Sequence, residues 1–357
     1  MSPRKALTGA VALLAAVAVL PGAASADETR GVPGEPTEVV GGLSYPWAIG
    51  WLPDGKSALV TERDTFVVSL VTVDGQRTEI GAVPETETTG NEGGLMGVAV
   101  SPQWDGSSNT DVFFMQSSSD GNRVAKMAFD GQALSDYTPI VQGIEKNTNH
   151  NGGRLAFGPD GFLYATAGDA ENGDNAQDQD SLNGKILRFT TAGEPAPDNP
   201  FGTLVYSMGH RNPQGLAWDA DGNLWSAELG QDTFDELNLI EAGKNYGWPN
   251  CEGECDDPAY TNPKATWSTA EASPSGVAIV GSTVFMGALR GERLWRIELN
   301  GTEAGEITSH FTGTYGRLRA AIAVPGENAL WLSTSNADAN GGQPAGSDRI
   351  LTSTITE

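Results

Sequence analysis

A glycine-marked turn followed by a short β-like run recurs six times along this chain, and that recurrence constrains the fold more than any other feature of the sequence. The turn glycines are Gly55, Gly106, Gly161, Gly222, Gly281 and Gly326, spaced by 51, 55, 61, 59 and 45 residues. The runs are Ser57 to Thr61, Asp111 to Met115, Phe162 to Thr166, Asn223 to Ala227, Thr283 to Met286 and Ala329 to Ser333. Each is rich in the β-branched and aromatic residues that suit a pleated, half-buried surface. Each glycine permits the positive φ of a tight hairpin turn, and four of the turns share an Asp-Gly core, at Gly55, Gly106, Gly161 and Gly222. Repeats of this length, with room for several short strands apiece, read as propeller blades that bury their apolar faces by stacking on neighbours. The expected fold is therefore all-β, a six-bladed β-propeller. An ordinary β-sandwich with regular hairpins is the alternative; six evenly spaced repeats filling the chain weigh against it. The repeat alone leaves five or seven blades open. A closed ring has a central channel, and loops at one mouth bring together residues far apart in sequence.

The first 26 residues read as an export signal. Arg4 and Lys5 make a basic start, Leu7 to Leu20 run almost wholly apolar, and Ala24-Ser25-Ala26 is a small-x-small cleavage site. The apolar run is too short to span a bilayer of about 30 Å as a helix. The expected domains are a signal peptide at 1–26 and one propeller at 27–357, secreted or periplasmic. Loss of the signal moves the formal net charge from −25 to −27. Such a field repels nucleic acid and anionic lipid, so neither is an expected partner, and it suits a binder of divalent cations. The two cysteines, Cys251 and Cys255, are expected to close a small disulfide loop in an oxidising compartment.

Four clusters carry candidate chemistry. His150 sits in a polar loop, Asn149-His150-Asn151-Gly152-Gly153, where an imidazole suits proton abstraction near neutral pH. Asp169 ends the following strand and is placed to orient that ring; a turn cap is its other reading. In Gly209-His210-Arg211-Asn212-Pro213-Gln214-Gly215, Arg211 offers a planar fork and Asn212 and Gln214 offer directional amides for a small polyanion. Residues 228–238 crowd carboxylates and turn carbonyls together, a donor set for calcium without the spacing of an EF-hand. Finally, Arg290, Arg317 and Arg319 concentrate positive charge in an acidic chain. Alternation places Arg317 and Arg319 on one strand face, where two like charges need an anion or a buried acid between them.

These clusters, in this order, resemble the soluble sugar dehydrogenases that use pyrroloquinoline quinone (PQQ). The most specific stretches are Gly209 to Ala217, Gly243-Lys244-Asn245-Tyr246-Gly247-Trp248-Pro249, Asn91 to Gly97 and Asn183 to Arg188. The resemblance implies a six-bladed propeller, PQQ and Ca2+ as cofactors, a sugar substrate and an external electron acceptor. It implies that His150 is the general base oriented by Asp169, and that Arg211 stabilises developing charge. It assigns Glu92, Arg211, Asn212, Gln214, Arg290, Arg317 and Arg319 to the cofactor, with the arginine pair on the PQQ carboxylates. It assigns calcium to the backbone carbonyls of Gly230 and Gln231, and a further calcium site to Glu236 and the carbonyl of Tyr246. The chain departs from the family pattern at Asn149, where aspartate often precedes the histidine, and at Gln231, where proline is usual. It departs again at Glu92, often glutamine, and at Ala320, where aspartate commonly follows the arginine pair.

Two other readings stand beside this one: a calcium-dependent lactone or ester hydrolase on a similar scaffold, and a non-catalytic carbohydrate-binding propeller. The hydrolase does not need three arginines around a planar polyanion, so Arg290, Arg317 and Arg319 discriminate against it, while His150 and Arg211 weigh against the non-catalytic propeller.

Overall fold

A computed structural model describes residues 31–356, so the expected signal segment lies outside the described residues. Each of the six β-like runs becomes the second strand of an antiparallel sheet: Ser57–Glu62, Asp111–Ser118, Leu163–Ala167, Leu224–Glu228, Thr283–Ala288 and Ala329–Thr334. The six turn glycines all lie in the left-handed region, with φ between 59° and 85°. At Gly161, Gly222, Gly281 and Gly326 a Cβ would meet nothing within 4 Å, so the turn demands glycine for its backbone and not for space.

Five sheets have four strands each and follow chain order: blade 1 over 46–82, blade 2 over 95–144, blade 3 over 155–208, blade 4 over 213–268 and blade 5 over 274–310. The first strand of each blade packs against the neighbouring blade around the axis, and Leu318–Ala323 of blade 6 returns to Pro46–Trp51 of blade 1. The ring is therefore a six-bladed propeller. Its apolar core sits between blades, as in the cluster joining Trp47, Phe113, Phe114 and Leu155 across blades 1 to 3. Truncating a fully buried Phe such as Phe113 costs about 3–5 kcal/mol.

Blade 6 is made from both ends of the chain. Its last strand, Asp348–Thr356, pairs with Val32–Pro33 and Thr37–Leu43, in registers that set Val32 opposite Thr356 and Leu43 opposite Asp348. Cys251 and Cys255 are joined in a disulfide, as expected. No helix among the described residues is long and apolar enough to cross a membrane.

Candidate active site

The loop entering blade 3 crosses one mouth of the channel and presents His150. Its backbone is left-handed at φ 56°, a conformation that costs a side-chain-bearing residue about 1 kcal/mol or more and persists where neighbours enforce it. Here they do: the His150 N–H donates to Glu92 Oε2 at 2.9 Å, and its carbonyl accepts the Ala170 N–H at 3.2 Å. The strand end packs so close that a Cβ on Gly168 would lie 2.1 Å from that carbonyl.

The imidazole is gripped at both nitrogens. Nδ1 lies 2.7 Å from Asp169 Oδ1, and Nε2 lies 2.7 Å from Arg211 Nη2. A guanidinium only donates, so Nε2 accepts and Nδ1 carries the proton toward Asp169. The ring is held neutral, with its lone pair on Nε2. Asp169 is buried, and its second oxygen accepts the Trp248 indole N–H at 2.8 Å. Arg211 is buried and fully engaged. Gln231 Oε1 accepts from its Nε at 2.8 Å and its Nη2 at 2.6 Å, and the Leu229 carbonyl accepts from Nη1 at 3.1 Å. Burial lowers the Arg211 pKa, opposed by the charges of Asp169 and Glu92. Asn212 is wholly buried and serves the loop: its oxygen accepts the Gly152 N–H at 3.0 Å and its amide donates to Glu92 Oε2 at 3.0 Å.

Beside this network lies a cavity of about 480 Å³, walled by Glu92, Gln214, Arg290, Arg317 and Arg319, together with Arg63 and Asp338. Of the residues singled out in the sequence, His150, Asp169, Arg211 and Asn212 are not in its wall. Glu92 joins the two parts, because the oxygen that holds the His150 backbone and Asn212 belongs to a cavity-lining residue. The acid required between the paired arginines is Asp338, from a loop 19 residues beyond Arg319. Its Oδ2 accepts from Arg317 Nε at 3.0 Å and lies 3.7 Å from Arg319 Nη2. Burial alone would raise the Asp338 pKa, yet the two guanidiniums pull it below the usual carboxylate range. Arg319 also donates to Gln214 Oε1 at 3.2 Å, and burial pushes its pKa down to about 10. The two Nη atoms of Arg317 make no hydrogen bond among the described residues, and Arg290 is exposed on the cavity wall. A planar tricarboxylate such as PQQ fits this wall by charge and by unspent donors.

The turn after Glu228 holds the residues assigned to calcium. A Cβ on Gly230 would lie 1.8 Å from the Phe234 carbonyl, so only glycine closes it. Neither the Gly230 nor the Gln231 carbonyl accepts a hydrogen bond among the described residues. Glu236 faces Glu228 across the strand pair, and burial followed by the Glu228 charge pushes its pKa well above the usual carboxylate range. Glu228, Glu236, Tyr246 and Glu252 line a small hole of about 10 Å³. No group of three or more His, Cys, Asp or Glu side chains is arranged to hold a metal among the described residues, so a metal here must draw on carbonyl oxygens. Hard oxygen donors and a crowded acidic pair fit calcium.

Sequence reasoning missed Asp338, Arg63, the indole of Trp248 and the side chain of Gln231. Trp248 stood inside a motif already noted. Asp338 and Arg63 had no local signal.

A propeller whose mouth joins a carboxylate-backed histidine to an arginine-lined cavity defines an enzyme that works on a small molecule held over the channel. Residues 43–342 match the model of the Glucose / Sorbosone dehydrogenase family, and the chain belongs to that family. It is 30% identical over 318 residues to the aldose sugar dehydrogenase YliI of Escherichia coli, covering 79% of this chain and 85% of that protein. Among solved structures, it is similar to the PQQ-bound form of an aldose sugar dehydrogenase from Streptomyces coelicolor. That match has 45% identity and a TM-score of 0.87, covering 92% of this chain and 99% of the other. A putative oxidoreductase (glucose dehydrogenase) from Thermus is 37% identical with a TM-score of 0.83, covering 90% and 99%.

Proposed function

We propose that this chain is exported and oxidises an aldose at its anomeric hydroxyl, releasing a lactone, with His150 as general base. It is a PQQ-dependent sugar dehydrogenase, and the observation that carries the finer reading is the imidazole held neutral between Asp169 and Arg211 beside the arginine-lined cavity. The carboxylates of PQQ would be held by Arg317, Arg319 and Arg290, and calcium by the carbonyls of Gly230 and Gln231. When bound, PQQ supplies the two-electron acceptor and calcium the Lewis acid.

The protein's own part is positioning and proton transfer. A sugar hydroxyl must come within about 2.6–3.2 Å of Nε2 to lose its proton, so it takes the place now held by Arg211 Nη2. The proton passes to Nε2, and Asp169 stabilises the resulting imidazolium through Nδ1. The displaced guanidinium N–H remains aimed at the mouth, where it stabilises developing negative charge. Gln231 keeps Arg211 from swinging away. An external acceptor reoxidises the enzyme after the lactone leaves. The hydrolase reading needs a base and calcium but leaves the four arginines of the cavity without a task.

The test is reconstitution of the mature protein, stripped of metals, with PQQ in the presence and absence of calcium. Cofactor absorbance and dye reduction are followed across a panel of aldoses. Stoichiometric calcium-dependent binding with sugar-driven reduction is expected. Absence of PQQ binding would return the chain to the hydrolase reading, which a lactone-hydrolysis screen then checks.

A further inference from the structure

We propose that Glu252 is a positioning residue for the metal-binding turn, and that the Cys251–Cys255 loop holds it in place. The inference rests on the calcium reading above. One oxygen of Glu252, Oε1, accepts four consecutive backbone N–H groups: Gln231 at 2.7 Å, Asp232 at 3.0 Å, Thr233 at 2.9 Å and Phe234 at 3.0 Å. In a planar trans peptide the N–H and the preceding C=O point in opposite directions. Turning the amides of Gln231 and Asp232 onto Glu252 therefore turns the carbonyls of Gly230 and Gln231 to the other side. Those are the two oxygens assigned to calcium, and both are free of protein donors among the described residues.

Successive amides converging on one anion form a nest, and bonds to an ionised acceptor are stronger than neutral ones. Gly230 lets the carboxylate approach, since a Cβ there would lie 2.7 Å from Glu252 Oε1. The Gly230 N–H is drawn elsewhere, to Asp235 Oδ1 at 2.9 Å, so its peptide belongs to a different anchor.

The disulfide loop positions this carboxylate from next door in sequence and touches the second acidic site as well. Gly253 N–H donates to Glu236 Oε1 at 2.8 Å, and Cys255 N–H donates to Asn262 Oδ1 at 2.8 Å. A bond closing so small a loop adds little to global stability, which leaves local placement as its use.

The experiment is calorimetric titration of CaCl2 into metal-stripped mature protein, with free PQQ present at saturating concentration in cell and syringe: wild type, Glu252→Ala, Glu252→Gln and a double Cys251→Ser/Cys255→Ser variant. Outer-shell partners of metal ligands typically contribute roughly 10–100-fold in metal affinity. Glu252→Ala is expected to weaken calcium binding within that range. Glu252→Gln, whose amide oxygen still accepts the N–H groups, should recover part of the loss, and the double serine variant should fall between the two. In dye reduction, excess calcium should restore kcat, so the defect lies in the calcium requirement. Unchanged affinity in both Glu252 variants would overturn the inference while leaving the calcium site standing. No calcium binding by wild type would overturn the calcium reading and this inference with it. If Glu252→Ala does not fold, judged by circular dichroism, Glu252→Gln and the double serine variant carry the test.

Discussion

On the side of the mouth formed by blades 3 and 4, both nitrogens of His150, both oxygens of Asp169 and all three side-chain nitrogens of Arg211 have protein partners. Across the cavity, on blades 5 and 6, Arg317 commits only its Nε and Arg290 stands exposed. The first side is finished before any ligand arrives, because a base must hold one tautomer and one direction to act. The second is left partly unpaired, because cations satisfied by their own protein have nothing to offer an anion. The proposed division of labour follows: chemistry on the paired side, cofactor retention on the unpaired side.

That comparison can be broken in four ways. His150→Ala removes the proposed base and should lower kcat by about 10²–10⁴-fold while PQQ affinity changes little. Steady-state kinetics alongside cofactor titration checks this, and loss of cofactor binding would place His150 on the wrong side of the divide. Asp338→Asn strips the acid from two buried arginines and should destabilise the cofactor-free protein by about 3 kcal/mol. The stabilisation gained on adding PQQ should grow, since the ligand then supplies the missing negative charge. Denaturant unfolding with and without PQQ measures both, and an unchanged midpoint would remove Asp338 from its assigned role. Arg317→Ala should weaken PQQ binding by about 10–100-fold, the loss of charge-assisted bonds worth roughly 1.5–3 kcal/mol, with kcat at saturating cofactor nearly unchanged. A fall in kcat instead would mean that this side also takes part in the chemistry. Trp248→Phe deletes one hydrogen bond to Asp169, worth about 1 kcal/mol, and should lower kcat about fivefold without touching PQQ affinity.

The parts legible in the sequence were those with local signals. Turn glycines and β-rich runs lie next to each other in the chain, so the blade count followed from spacing. His150 and Asp169 flank the first two strands of blade 3, and the motif around Arg211 is contiguous. What escaped notice depends on separate segments folding together. Asp338 reaches Arg317 only because the loop after the second strand of blade 6 folds back over the mouth. Ala320 removed the one neighbouring position where the acid was expected. Gln231 was read for its carbonyl, yet its side chain steers Arg211, a contact between different loops of blade 4. The pairing of Thr37–Leu43 with the final strand was also unseen.

Blade 6 takes its outer strands from residues 32–43 and its last internal strand from 348–356, so it cannot exist until both segments are available to pair. Arg317, Arg319 and Asp338 sit on that blade. Blades 1 to 5 can therefore stack while about a third of the cavity wall is still missing. The wall of the cavity is therefore complete only once two segments more than 300 residues apart have paired in blade 6.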